Sequence, residues 1–484
     1  MVTSDRRKWL ALALLSVVQF MVVLDIAIVN VALPSIQVDL GFSQENLQWV
    51  ISAYALVFGG FLLLGGRAAD LLGRRRIFLA GVILFTVSSL LAGLAWSEAS
   101  LIGARAFQGL GAAIITPAAL SILSTTFVEG RERNIALGVW GAVGGFGAAA
   151  GVLLGGILTD ALSWEWIFFV NVPVGVLAFV AAPLLLAESR DARVKRFDLP
   201  GAVLVTGGLS LLVYAITQAG QEGWLAGQTL AFFAASIVLL AGFIGWELRH
   251  PEPLMRFGIL QTRTVSGANV AGFIMGTALF AMFLMLTLYM QQVLGYSAMK
   301  TGVAYLAVAG TAILWSAVAA QLVTRLGVKP VLVLGMALLT AGLVYFTQVS
   351  VGGSYVGDLL PGFLLIGVGI GFAFVPISIA ALAGVEAAEA GLASGLINTS
   401  QQIGGALGLA ILATVANSRT EDAFATGASK ASALTDGFQA AFAVGAGFAI
   451  AGALLAMVLV SGRASREHAE AARRGELDPA AAIA

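Results

Sequence analysis

The sequence predicts an all-α polytopic membrane protein with fourteen transmembrane helices, and three observations carry that prediction. First, 59% of the 484 residues are hydrophobic and 11% are charged, against roughly 25% charged in a soluble globular chain; mean hydropathy is +0.95. Second, the apolar residues gather into runs long enough to cross a bilayer core, which takes about 20 residues in helical form. Third, the cations sort to one side of those runs. The same totals exclude other classes. The 26 Lys+Arg are balanced by 26 Asp+Glu, so the basic excess of a nucleic-acid binder is missing, and disorder needs lower hydrophobicity and higher charge. Cys is absent and His occurs only as His250 and His468, which removes thiol chemistry and leaves little for a zinc site.

The runs follow in order. The first, 9–33, comes after Arg6, Arg7 and Lys8. It is longer than the core of a cleavable signal peptide and leads straight into further spans, so it reads as a retained first helix. Next come 47–66, 77–96, 101–124, 134–158 and 165–186, then 199–219 and 228–248, and finally 267–290, 301–323, 329–349, 357–380, 390–416 and 438–461. The shortest separations lie at Ser97–Ser100 and Thr324–Val328. With the N-terminus inside, Lys300, Arg419 and Lys430 are the cations of the outer segments, Arg105 lies in a span, and every other Lys and Arg lies in an inner segment. By the positive-inside rule both termini are expected in the cytoplasm, as an even number of spans requires.

An internal repeat accompanies the count. Gly73 falls on Gly327 and Gly81 on Gly335; further along, Gly138, Gly147 and Gly151 fall on Gly395, Gly404 and Gly408. One six-helix unit is thus expected twice in the same orientation, a recurring plan of transporters with a site between the copies. The expected division is an N-terminal six-helix bundle over 1–190, a linker with two extra spans over 191–265, a C-terminal bundle over 266–461 and a cytoplasmic tail over 462–484.

A charge inside a span costs about 2.5–3.5 kcal/mol on insertion scales and usually marks function. Asp25, deep in the first run, and Arg105, early in the fourth, are the two that lie well inside. Asp25 reads as a protonation or substrate-cation site, or as a structural carboxylate bonded to a neighbouring helix; Arg105 reads as an ion-pair or carbonyl clamp, or as part of proton coupling. The fifth run carries Gly138, Gly147, Gly151, Gly155 and Gly156, whose spacing allows close helix approach, as packing or as a seal between the halves. Between the second and third runs stand Asp70, Gly73 and Arg74–Arg76. A positive-inside loop accounts for the arginines but not for the fixed Asp and Gly.

These segments resemble the 14-spanning drug:proton antiporters of the major facilitator superfamily, over nearly the whole chain. Leu24-Asp25 through Asn30 to Pro34 is similar to that family's first-helix motif, whose Asp is implicated in proton or cation coupling. Asp70, Gly73, Arg74 and Arg75 match the cytoplasmic gating motif, with Ala68 and Leu71 in place of its usual Leu and Arg. Arg105, Gln108, Gly109 and Gly111 resemble the fourth-helix motif, whose Arg is linked to proton transfer. The fifth-run glycines resemble the antiporter motif, although Val152 stands where Pro is usual. Ser163 to Pro173 resembles the start of the sixth span, with Glu165 for a usual Arg, and Asp198-Leu-Pro200-Gly201 resembles the start of the seventh. The resemblance implies the major facilitator fold, with two bundles and two extra helices between them.

For a cavity, Asn30, Trp49, Tyr54, Tyr289, Gln292, Asn398 and Gln401 are candidates, supplying polar and aromatic groups in apolar surroundings. No Gly-x4-Gly-Lys-Ser/Thr run occurs among the five lysines, so P-loop ATP hydrolysis has no support and no cofactor is expected beyond a proton gradient. No nucleophile–base or metal-ligand cluster suggests an enzyme. The expected function is proton-coupled export of hydrophobic, including cationic, drugs or toxic compounds across a bacterial inner membrane by alternating access. The expected partners are such small molecules, protons and the lipid bilayer, and the resemblance implies a working monomer. Alternatives are export of an endogenous metabolite, lipid, siderophore or self-made antibiotic, or, from another class, a non-transporting scaffold or sensor, which has no need of Asp25 and Arg105.

Overall fold

The computed structural model of the chain describes residues 5–127, 131–190, 198–251, 253–254, 257–381 and 390–460. The tail expected over 462–484 and part of the linker expected over 191–265 lie outside them. The described residues form helices α1 (Asp5–Leu40), α2 (Trp49–Leu72), α3 (Arg74–Gly93), α4 (Glu98–Thr126) and α5 (Arg131–Ala161). After them come α6 (Trp166–Phe169), α7 (Asn171–Leu185), α8 (Leu199–Glu222), α9 (Gly227–Glu247) and α10 (Arg263–Leu288). The last are α11 (Ala298–Leu326), α12 (Val328–Phe346), α13 (Leu360–Ala381), α14 (Ala390–Ala425) and α15 (Lys430–Leu459). All-helical spans are what a bilayer demands, because backbone N–H and C=O groups find no water there.

Twelve spans, with α6 and α7 counted as one, are long and apolar enough on the described residues alone. Helices α5 and α14, at 31 and 36 residues, are the other two. The fourteen expected spans are therefore present in the expected order, and the chain is a multi-pass membrane protein.

Helix pairing follows the internal repeat. In the first half α1 packs on α5, α2 on α4, α3 on α4 and α7; in the second, α10 packs on α14, α11 on α13, α12 on α13 and α15. The repeated glycines do equivalent work. Gly73 and Gly327 join α2 to α3 and α11 to α12 at φ +114° and +86°, a backbone that side chains rarely adopt. Gly147 and Gly151 lie against α1, and Gly404 and Gly408 against α10. The halves touch through α5 with α11 and through α2 with α14, pairings that the repeat interchanges.

The extra pair sits outside one of these seams. Helix α8 packs on α2, α14 and α9. Ala55 and Leu56 of α2, Leu209, Val213 and Ile216 of α8, and Ala406 and Ala410 of α14 form one buried cluster. Helix α9 leaves Leu230, Ile237, Val238 and Ile244 exposed, as a lipid-facing helix should.

Two irregularities lie beside functional groups. The sixth span is divided between α6 and α7 at Val170. Val170 keeps helical angles (φ −60°, ψ −27°) and its N–H donates to the Trp166 carbonyl; Pro173 only lacks the N–H for the carbonyl four residues back, and Asn171 lies buried on the interior face. Helix α10 ends in a π turn, Tyr289–Val293, of a kind frequently found at functional sites. It turns Gln291 and Gln292 toward α1. In contrast, α5 runs unbroken through Val152, because no Pro interrupts its ladder there.

Candidate functional site

The two intramembrane charges expected from sequence meet each other. Asp25, on α1, is fully buried, and Arg105, on α4, is 1% exposed. Arg105 Nη1 donates to Asp25 Oδ2 at 2.6 Å and to Gln108 Oε1 at 2.6 Å, and its Nε donates to the Val50 carbonyl at 3.0 Å. The other carboxylate oxygen, Oδ1, accepts from Gln108 Nε2 at 2.7 Å and Asn171 Nδ2 at 2.8 Å. Ser89 Oγ, on α3, accepts from the same two amides at 3.1 and 3.0 Å and donates to the Phe168 carbonyl at 2.9 Å. The guanidinium carbon lies 4.4 Å from the Tyr54 ring centroid and 5.6 Å from that of Phe168. The network thus draws on α1, α2, α3, α4, α6 and α7, all within the first bundle.

Local sequence explains the depth. Ser97 and Ser100 form a capping box that starts α4. At 1.5 Å per residue, Arg105 then lies about 10 Å below that helix start. Gly109, one turn on, lets α4 touch α2: a Cβ there would come 2.5 Å from the Tyr54 carbonyl oxygen. Gly151 does the same between α5 and α1, where a Cβ would come 2.8 Å from the Leu24 carbonyl oxygen, next to Asp25. A buried ion pair gains little net stability, because desolvation offsets its attraction, yet loss of one partner costs about 3–5 kcal/mol.

Among the described residues the second bundle has no counterpart. Gly111 of α4 meets Phe85 of α3, and Gly369 of α13 meets Leu339 of α12. In that register Phe363 stands where Arg105 stands in the first bundle. Phe363 packs on the rings of Tyr305, Phe346 and Tyr355. One bundle therefore carries buried charge, the other an aromatic core.

A sequence model of the Major Facilitator Superfamily matches residues 15–409. The chain belongs to the major facilitator superfamily. It is 42% identical over 458 residues to a puromycin resistance protein of Streptomyces alboniger, covering 94% of this chain and 91% of the relative. It is 40% identical over 415 residues to a cephamycin export protein of Amycolatopsis lactamdurans, covering 85% of each. The fold is similar to that of a bacterial homologue of the human lysosomal transporter Spinster, with a TM-score of 0.68, 15% identity, and 96% and 99% of the two chains covered.

In this major facilitator chain the α2–α3 loop is tied to its own bundle. Asp70 Oδ1 accepts from Arg74 Nε at 2.9 Å and from Ser121 Oγ, on α4, at 3.2 Å. Glu188, just beyond α7, accepts the Arg75 backbone N–H at 3.1 Å and stands 3.8 Å from the Arg75 and Arg76 guanidinia. Glu188 also lies 2.8 Å from where a Gly73 Cβ would be, so Gly73 is needed for backbone angle and for space. Asp70→Ala removes the ties to Arg74 and Ser121 far from the Asp25 network. Turnover in reconstituted vesicles should fall several-fold while substrate affinity, measured by equilibrium binding, stays within about twofold. An equal loss of both would place Asp70 at the binding site.

The fifth-helix glycines divide their work. Gly147, Gly151 and Gly155 lie against α1, while Gly156 faces α11, where a Cβ would come 2.6 Å from the Ala298 carbonyl oxygen. The surroundings of Gly138 lie outside the described residues. Nearby, Asp160 accepts the Ala298 and Met299 backbone N–H groups at 3.1 and 2.8 Å. Gln292 Nε2 donates to Gln37 Oε1 at 2.9 Å and Gln291 Nε2 to the Val31 carbonyl at 2.8 Å. These ties join the two bundles at the end opposite Arg74–Arg76, here termed the far end. Thr399 Oγ1 to the Gly59 carbonyl, 3.0 Å, joins them near mid-depth.

The seven residues expected at a cavity do not converge on one wall. Tyr54 belongs to the Asp25 network. Asn30 donates back to the Ile26 and Ala27 carbonyls of its own helix. The Trp49 ring lies 6.4 Å from that of Tyr214 on α8. Tyr289 donates to the Ser350 carbonyl within the second bundle at 2.6 Å, and Gln292 is a far-end tie. Gln401 packs on α10, beside Gly272 and Gly276, and Asn398 is exposed on α14. Sequence reading placed Gln108 in the fourth-helix motif and Asn171 in the 163–173 segment without a role of their own, and did not single out Ser89, Glu188 or Asp160. The available signals were the i+3 spacing of Gln108 from Arg105 and a lone Asn at the start of an apolar run; Ser89 carried none.

Proposed function

We propose that this protein exports hydrophobic small molecules of the antibiotic and drug type, cationic ones included, in exchange for protons. The observation that carries the proposal is the fully buried Asp25, whose two oxygens are held by a guanidinium and two amides in the interior of the first bundle. A scaffold has no use for such a group. The names of relatives at 42% and 40% identity, a puromycin resistance protein and a cephamycin export protein, support the cargo class.

The chemistry follows from the contacts. A proton arriving at Asp25 removes the charge that holds Arg105, leaving the guanidinium with Gln108, the Val50 carbonyl and the Tyr54 ring. The tie between α1 and α4 weakens, and those helices become free to shift. Deprotonation restores the pair. The gradient supplies about 2.3 kcal/mol per charge per 100 mV and about 1.4 kcal/mol per pH unit, so no cofactor is invoked. The Arg74–Arg76 end, with both termini, is assigned to the cytoplasm of a bacterial inner membrane, and the monomer to the working unit. The far-end ties then close the outer side, and cargo enters from the cytoplasm.

The test is transport by the purified chain in proteoliposomes with an imposed pH gradient, using puromycin and a fluorescent organic cation as probes. Gradient-dependent movement that a protonophore collapses is the expected result. Movement of neither probe, or movement indifferent to the gradient, would sink the proposal.

A further inference from the structure

At the far end, where α2, α8 and α14 meet, lies a pocket lined by Glu45, Gln48, Thr217, Asn417, Ser418 and Glu421, with Thr414 beside them. Its space suits about one water-sized ion. Each lining side chain carries an oxygen, and Gln48 and Asn417 carry amide N–H groups as well. Gln48 is 1% exposed; its Nε2 donates to Thr217 Oγ1 at 3.0 Å, and Thr217 passes its own proton to the Val213 carbonyl at 3.0 Å. That leaves Gln48 Oε1 as a buried acceptor with no donor, which is costly unless a ligand satisfies it. Glu45 and Glu421 bring two carboxylates, and neither forms an ion pair or hydrogen bond with a described residue, Arg419 and Lys430 of the same end included.

An unpartnered buried carbonyl oxygen and two unpaired carboxylates around a small space are a donor set for a hard cation. Two negative charges match a divalent ion, and Ca2+ and Mg2+ are held by carboxylates, amide carbonyls and retained waters. The three contributing elements also belong to different bodies: Glu45 and Gln48 to the first bundle, Thr217 to the extra pair, and Asn417, Ser418 and Glu421 to the second bundle. We propose that this pocket binds a hard divalent cation of the Ca2+ or Mg2+ class, and that the ion clamps the two bundles together at the far end. An ion that binds one conformation better than the other shifts the equilibrium toward it; here it favours closure. The site is separate from Asp25 and stands whether or not transport is coupled to protons.

The test uses the full chain in phosphatidylcholine nanodiscs, titrated with CaCl2 by calorimetry. The expected result is one saturable site per chain, with a Kd on the order of 10⁻⁴–10⁻³ M, as for extracellular calcium-binding modules. Glu421→Gln and Glu45→Gln should each weaken binding at least tenfold while leaving the calcium-free melting temperature unchanged. MgCl2 should compete and NaCl at equal ionic strength should not. No saturable Ca2+ binding, equal affinity in both variants, or displacement by Na+ would overturn the site. The clamp is read separately. The chain contains no Cys, so spin labels on Val38→Cys and Thr426→Cys, both at exposed positions, report distances across the far end. Ca2+ should raise the short-distance population, and Glu421→Gln should abolish that response; a distribution indifferent to Ca2+ would overturn the clamp.

Discussion

Asp25→Asn is expected to reduce pH-driven efflux to the level of protein-free vesicles. The amide cannot carry the proton, and it leaves Arg105 without its counter-charge. The second effect alone lowers stability by about 3–5 kcal/mol, so a transport defect needs separating from a folding defect. The double variant Asp25→Asn/Arg105→Gln separates them. Each single variant should melt well below the parent, whereas the double variant should recover part of the loss, because neither charge is then stranded. Transport should stay absent in all three. Wild-type efflux in a well-folded double variant would remove Asp25 and Arg105 from the coupling step and leave them as structural partners.

Asp160→Ala and Gly156→Val are expected to open the far end by independent routes. Asp160 accepts two backbone N–H groups at the start of α11, where the helix dipole favours a carboxylate. At this exposed position the tie contributes about 1–2 kcal/mol, so its loss shifts the closed-to-open ratio by roughly 5–30-fold. Gly156→Val acts by volume: its Cβ would stand 2.6 Å from the Ala298 carbonyl oxygen and 2.7 Å from the Met299 Cα, so α5 and α11 must separate. Both variants should lengthen far-end spin-label distances and raise labelling of cysteines placed at the seam. Distances unchanged in both variants would mean that the α5–α11 contact does not hold the far end shut.

The two variant sets act on residues that differ in how legible they were. Asp25 and Arg105 stand out in sequence, since a charge within an apolar run has few explanations. Their direct pairing was not legible, because it depends on how α1 and α4 are set side by side, 80 residues apart in the chain. Asn171 shows the limit more sharply. It reads as one polar residue at the start of a span and becomes a partner of Asp25 only because α7 packs beside α1 with that face inward. Asp160 reads as an ordinary loop carboxylate until α5 ends beside the start of α11.

The candidate cavity residues failed to converge for a related reason. Polar and aromatic side chains at helical spacing can satisfy their own backbone, as Asn30 does, or join a neighbouring helix, as Trp49 does with Tyr214. Composition does not say which.

By itself the sequence determined the membrane class, the fourteen spans, the repeat and the two intramembrane charges. A bilayer restricts backbone to helices of a fixed length and penalises every buried charge, so these properties are written locally along the chain. The Asp25 cage, the asymmetry between a charged first bundle and an aromatic second one, the far-end ties and the three-helix pocket were decided by tertiary structure alone. Each depends on which helix faces meet, and close approach at glycines such as Gly109, Gly151 and Gly156 fixes those meetings over distances that no local pattern records.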